Sequence, residues 1–158
     1  MNKIDKAKAW AFEAHKNQKY GDNPYTFHLE MVVNNLKRIT NDEDVIVAGW
    51  LHDSVEDTYL NVEDIRKEFG EKVAELVFAV TGVGNNRKER LLDVLSKIPN
   101  VSGSELIKLA DRLSNVSSSI NEGKTSLTKM YKKEHDEIKV VFPDNILKKE
   151  LDTLMNNF

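Results

Sequence analysis

No cysteine occurs in the 158-residue chain, which excludes disulfide scaffolds, thiolate zinc sites and cysteine nucleophiles. Proline is scarce, at three residues, and glycine amounts to seven. So few breakers leave long stretches free to carry helical periodicity. An excess of basic charge is also missing: 23 Lys and Arg against 26 Asp and Glu give a formal net charge of −3. That balance argues against a nucleic-acid binder working through bulk charge. The longest clean apolar run, Val45 to Leu51, falls far short of the roughly 20 residues that span a bilayer. The N-terminal MNKIDKAKAWAF has no apolar core of signal-peptide length. No membrane partner is expected, and the cytoplasm is the expected location.

What is present is a globular mixture, 40% hydrophobic and 31% charged, long enough to bury a core as one domain over residues 1–158. Ala7, Trp10, Ala11 and Ala14 recur at helical spacing, and Tyr20 to Pro24 break that helix. A second helix fits Phe27 to Ile39. Thr40 or Asn41 is placed to cap a third, whose Val45–Leu51 run is apolar on every side, as in a buried central helix. The β-branched residues there also permit a buried strand. Further helices fit Asn61–Phe69, Val73–Val80, Arg87–Ile98, a run after the capping-box pair Ser102 and Glu105, Leu127–Val140, and a last one from Pro143. The expectation is an all-α domain of roughly eight helices.

His52-Asp53-Ser54-Val55-Glu56-Asp57 is the densest chemical signal. On one helix, His52 and Glu56 would be four apart, as would Asp53 and Asp57, forming a single polar patch. Burying a histidine and three carboxylates costs several kcal/mol without a partner, and a divalent cation supplies one. The plain alternative is a solvated acidic helix end. His28 and Asp111 are further candidate ligands; Asp111 lies inside a strongly apolar helix, where Arg112 or a neighbouring lysine is the alternative partner. Two histidines and two aspartates suit manganese, iron, zinc, nickel or cobalt better than magnesium or calcium. Arg87-Lys88-x-Arg90, after a Gly84-Asn85-Asn86 loop, has the charge to clamp a phosphate. His15 reads as a core histidine on an alanine-rich face, and His135 as a surface one.

These stretches resemble the HD superfamily of metal-dependent phosphohydrolases, within it the small relatives of the RelA/SpoT hydrolase domain and the metazoan SpoT homologue. The matching segments run in order: Ala14-His15-Lys16-Asn17-Gln18, Pro24-Tyr25-Thr26-Phe27-His28, Leu51-His52-Asp53-Ser54-Val55-Glu56-Asp57-Thr58, Phe69-Gly70, Val80-Thr81, and Lys108-Leu109-Ala110-Asp111-Arg112-Leu113-Ser114-Asn115. By that resemblance His28, His52, Asp53 and Asp111 are metal ligands and Glu56 and Asp57 the catalytic acidic pair. Asn115 lies near the substrate's sugar or a metal-bound water, basic residues such as Arg87 and Lys88 meet phosphate, and Tyr131 lies near the nucleotide. Lys19-Tyr20 stands where the resemblance leads one to expect an Arg-Lys grip on the nucleotide, and both are candidate substrate contacts. Tyr20 would sit at the pocket mouth, offering its ring to a base. Leu29 and Ser114 also depart from the usual residues.

The implied activity is metal-dependent hydrolysis of a nucleotide, with Mn²⁺ as first choice of metal. The leading substrate is guanosine 3′,5′-bis(diphosphate), cut at the 3′-pyrophosphate. The alternatives are hydrolysis of another nucleotide phosphate, or a nucleotide-sensing module with little catalysis.

Overall fold

The computed structural model describes residues 1–158. Ten α-helices form the molecule: α1 (Lys3–Ala14), α2 (Tyr25–Lys37), α3 (Glu43–Leu51), α4 (Ser54–Asp57), α5 (Val62–Phe69), α6 (Glu71–Val80), α7 (Arg87–Lys97), α8 (Ser104–Asn121), α9 (Thr125–Ile138) and α10 (Ile146–Asn157). Short 3₁₀ turns follow α7 and α9, at Ile98–Asn100 and Lys139–Val141. The all-α expectation holds but for β1 (Lys19–Tyr20) and β2 (Asn23–Pro24), an antiparallel ladder pairing Lys19 with Pro24 and Tyr20 with Asn23. Gly21, at φ 62°, turns this hairpin in the left-handed region that glycine enters freely.

The apolar run Val45–Leu51 is helical, and all seven of its residues are buried in α3. Burying each of its larger side chains contributes about 1.5–3 kcal/mol, so α3 anchors the core. It packs against α1, α2, α6 and α8. Gly49 allows the closest approach: a Cβ there would lie 2.5 Å from Leu36 Cδ1 of α2. The side chains of α8 that face inward, Ile107, Leu109, Ala110 and Val116, complete the central layer. No helix is long and apolar enough to cross a membrane.

Several helix starts differ from the sequence reading, each for a local reason. Asp42 caps α3, its carboxylate accepting from the amides of Asp44 and Val45, while Thr40 Oγ1 accepts from Asp42 N instead of capping. Helix α8 begins at Ser104 after the left-handed Gly103, whose amide donates to Glu105; Ser102 stays outside. Asn145 caps α10, so Pro143 precedes that helix rather than opening it. Asn61 caps α5 in a full capping box with Asp64.

Candidate active site

α3 and α4 are not one helix. The chain turns at His52 and Asp53, so Glu56 and Asp57 are offset from the expected continuous face. That break serves the site: His52 ends the buried helix with its ring inside, and Asp53 turns back beside it. His52 Nδ1 donates to the Gly49 carbonyl oxygen at 2.8 Å. A carbonyl only accepts, so Nδ1 carries the proton and Nε2 is left to face the carboxylates. Nε2 lies 3.0 Å from Asp53 Oδ2 and 3.3 Å from Asp111 Oδ1. His28, in the first turn of α2, brings its Nε2 to 3.0 Å from Asp111 Oδ1 and 3.5 Å from Asp53 Oδ2. Its Nδ1 is buried without a partner. One ligand atom from each of His28, His52, Asp53 and Asp111 lies within 4.8 Å of the others. The chain thus gathers these four from α2, the α3–α4 junction and α8.

The electrostatics follow from burial opposed by pairing. Burial alone would lower both histidines, but Asp111 and Asp53 outweigh it and hold His28 above its ordinary value and His52 well above. The same burial would raise the two aspartates, yet the histidines beside them hold Asp53 and Asp111 well below the usual carboxylate range. Two carboxylates and two imidazoles packed this tightly are a nitrogen and oxygen donor set that fits a divalent cation. The Nδ1–carbonyl bond of His52 is of the kind that orients an imidazole for holding a metal.

Around the four stand further groups, of which Tyr25 and Gln18 carry no assigned role in the sequence reading. The Tyr25 hydroxyl donates to Asp53 Oδ2 at 2.6 Å. Burial pushes that phenol well above its ordinary value, so it stays a donor. Lys108 Nζ lies 3.5 Å from Asp111 Oδ2, the lysine partner rather than Arg112. Asn115 Nδ2 donates to Asp111 Oδ1 at 3.2 Å. His15 is buried and stacked on Tyr25; its Nδ1 lies 2.7 Å from Gln18 Oε1, and Gln18 Nε2 donates to Asp57 at 3.4 Å.

A pocket of about 230 Å³ opens beside the cluster between α6, α7, α8 and α9, lined by Glu56, Asp111 and Asn115 together with the basic Arg87, Arg90, Lys108 and Arg112 and by Tyr131. Glu56 sits at its rim. Partial burial raises its carboxyl, and the negative charges of Asp53 and Asp57 add to this. Asp57 is raised in the same way, by burial first and then by Asp53. Tyr131 is buried with two guanidinium groups over its ring, Arg112 at 4.8 Å and Arg87 at 5.7 Å. Glu134 accepts from both arginines, taking Nε and Nη2 of Arg87 at 2.9 and 3.0 Å and Nη1 of Arg112 at 2.8 Å.

Three expected substrate contacts are absent from the pocket lining: Lys19, Lys88 and Tyr20. Lys19 and Lys88 are exposed; Lys88 turns outward from the α7 start while Arg90, three residues after Arg87, turns in. Tyr20 instead lays one face of its ring on His28 and bonds Asn115 at the pocket's edge of the cluster. His135 is not a surface residue either: it is buried, its Nε2 2.7 Å from Asp152 Oδ1, tying α9 to α10. Its charged sequence neighbours hid a partner supplied by another helix.

Residues 7–139 match the HD domain family model, and the chain belongs to that family. Among its relatives is the guanosine-3′,5′-bis(diphosphate) 3′-pyrophosphohydrolase of Aquifex aeolicus (strain VF5), 36% identical over 122 residues, with 72% of this chain and 17% of that protein covered. Another is the guanosine-3′,5′-bis(diphosphate) 3′-pyrophosphohydrolase MESH1 of Drosophila melanogaster, 34% identical over 109 residues, covering 65% of this chain and 61% of MESH1. The chain therefore spans only about a sixth of the Aquifex protein and under two thirds of MESH1. The solved structure of a metazoan SpoT ortholog that hydrolyses ppGpp superposes with a TM-score of 0.86 at 27% identity, over 99% of this chain and 96% of that one. A solved Listeria monocytogenes EGD-e protein gives 0.70 at 27% identity, over 84% and 96%.

Proposed function

We propose that this chain is a divalent-metal-dependent pyrophosphohydrolase that removes the 3′-diphosphate of guanosine 3′,5′-bis(diphosphate), with Mn²⁺ as its metal. The observation that carries this reading is the cluster of His28, His52, Asp53 and Asp111, with ligand atoms within 4.8 Å, opening on a basic pocket with Glu56 at its rim. The relatives' activity agrees with it. Helix α10 lies beyond the residues that match the family and packs on α8, so we read residues 1–158 as one working unit.

In this reading the four residues hold the cation, which when bound would acidify water and neutralise phosphate charge. Glu56 takes a proton from the attacking water. Its raised affinity for protons suits a base that must hold one briefly. Attack at the phosphorus next to the sugar breaks that P–O bond; the 3′-oxygen leaves with a proton that Asp57 helps to supply. Water and substrate thus become guanosine 5′-diphosphate and pyrophosphate. Arg90, Lys108 and Arg87 stabilise the negative charge of the transferring phosphate, and Tyr131 and Asn115 line the nucleotide's seat. The test is incubation of the purified chain with Mn²⁺ and a panel of purine nucleotides, products being resolved by chromatography. Release of pyrophosphate from guanosine 3′,5′-bis(diphosphate) is expected, and an intact panel overturns the proposal.

A further inference from the structure

The β1–β2 hairpin brings Tyr20 against the cluster. Tyr20 lays its ring on the His28 imidazole, with centroids 4.6 Å apart and planes 18° from parallel. Its hydroxyl donates to Asn115 Oδ1 at 2.7 Å, and Asn115 Nδ2 donates onward to Asp111 Oδ1. One side chain therefore touches His28 directly and reaches Asp111 through a single amide. These are two of the four clustered residues, and they come from different helices.

The two histidines are held differently. His52 is fixed from behind by the Gly49 carbonyl, whereas His28 Nδ1 is buried and unpartnered. No hydrogen bond sets the plane of the His28 ring from its far side. What confines that plane is aromatic contact: the face of Tyr20, and Tyr25 at 5.4 Å with planes 52° apart. The Tyr20 hydroxyl does a second job. By donating to Asn115 Oδ1 it occupies the amide's acceptor, so the amide's NH₂ turns to Asp111. An Asn115 flipped the other way would set oxygen against the Asp111 carboxylate.

We propose that Tyr20 is a positioning residue of the metal site: its ring fixes the plane of His28, and its hydroxyl fixes the amide that braces Asp111. This rests on reading the four-residue cluster as a metal site. Its orienting contact on His28 is a stacked ring, in place of the hydrogen bond that usually orients such a histidine.

The test is calorimetric titration with Mn²⁺ alone on wild type, Tyr20→Phe, Tyr20→Leu and Tyr20→Ala, with melting of each metal-free protein recorded. Loss of an outer contact on a metal ligand typically weakens binding by about 10–100-fold. Tyr20→Ala and Tyr20→Leu should both fall in that range. Leucine fills the space without an aromatic face, so it decides the matter if the alanine variant melts early. Tyr20→Phe keeps the stack and should restore most of the affinity, the remaining deficit being the share of the hydroxyl. Wild-type Mn²⁺ affinity in the leucine variant overturns the proposal, as does a lowered metal-free melting temperature with unchanged affinity. A wild-type chain that binds no Mn²⁺ defeats the metal site itself and this inference with it. A chain that binds Mn²⁺ but leaves the nucleotide intact defeats only the proposed activity.

Discussion

Glu56 and Asp53 are both carboxylates within one short segment, yet their surroundings drive them apart. Asp53 is flanked by two imidazoles and a phenol, so it stays charged. Glu56 has no partner of that kind; partial burial and the neighbouring Asp53 and Asp57 raise it, with Lys108 opposing. One carboxylate is built to stay ionised and the other to exchange a proton, the division of labour that acid–base chemistry needs. Glu56→Gln keeps the shape and removes the base. Turnover should fall by roughly 10²–10⁴-fold while Mn²⁺ binding, followed by calorimetry, stays as in wild type. Full turnover would remove Glu56 from the chemistry, and lost Mn²⁺ binding would make it a ligand.

At the scale of elements, the site depends on how closely α2 and α3 approach. Gly49 permits that approach and its carbonyl also holds His52, so one residue couples packing to ligand orientation. In Gly49→Ala the new methyl meets the fully buried Leu36. Overpacking of this kind costs about 1–3 kcal/mol, read as a lower urea midpoint. Because the helices must part, Mn²⁺ affinity should fall as well; unchanged stability would show that the core absorbs the methyl. The same elements show what was legible in the sequence. α3 was readable because seven consecutive apolar residues leave a helix nowhere to lie but inside. The cluster residues were readable because His-Asp and the aspartate in an apolar helix are costly arrangements that call for partners. Tyr25, Gln18 and Glu134 were not, since each acts on a residue supplied by another element. His135 reads as a surface residue for the same reason, its partner Asp152 lying on another helix. The Tyr20 contact crosses 95 positions to reach Asn115, and no local pattern encodes such a pairing.

For the whole molecule, the cluster sets how stability answers to pH, and metal should invert part of that answer. In the metal-free chain, burial opposes charge on His28 and His52, but Asp111 and Asp53 prevail and hold both above their ordinary value. Their contribution is fully present below the unfolded histidine value of about 6.5 and is lost as pH rises through the raised folded values. Asp53 and Asp111 are held low instead. Theirs is present above the unfolded value of about 3.9 and is lost as pH falls through the depressed ones. A cation needs neutral imidazoles, so its binding must expel up to two protons and tighten as pH rises. Two protons amount to as much as about 2.7 kcal/mol per pH unit. Melting curves with a chelator and with excess Mn²⁺, recorded from about pH 5.5 to 8.5, should therefore diverge upward. The chelated protein should lose stability with rising pH while the Mn²⁺ increment grows, because the cation ties α2, the α3–α4 junction and α8 together only in the folded state. Parallel curves would mean that the histidines are already neutral without metal, and the balance of burial against the two aspartates would have to be redrawn.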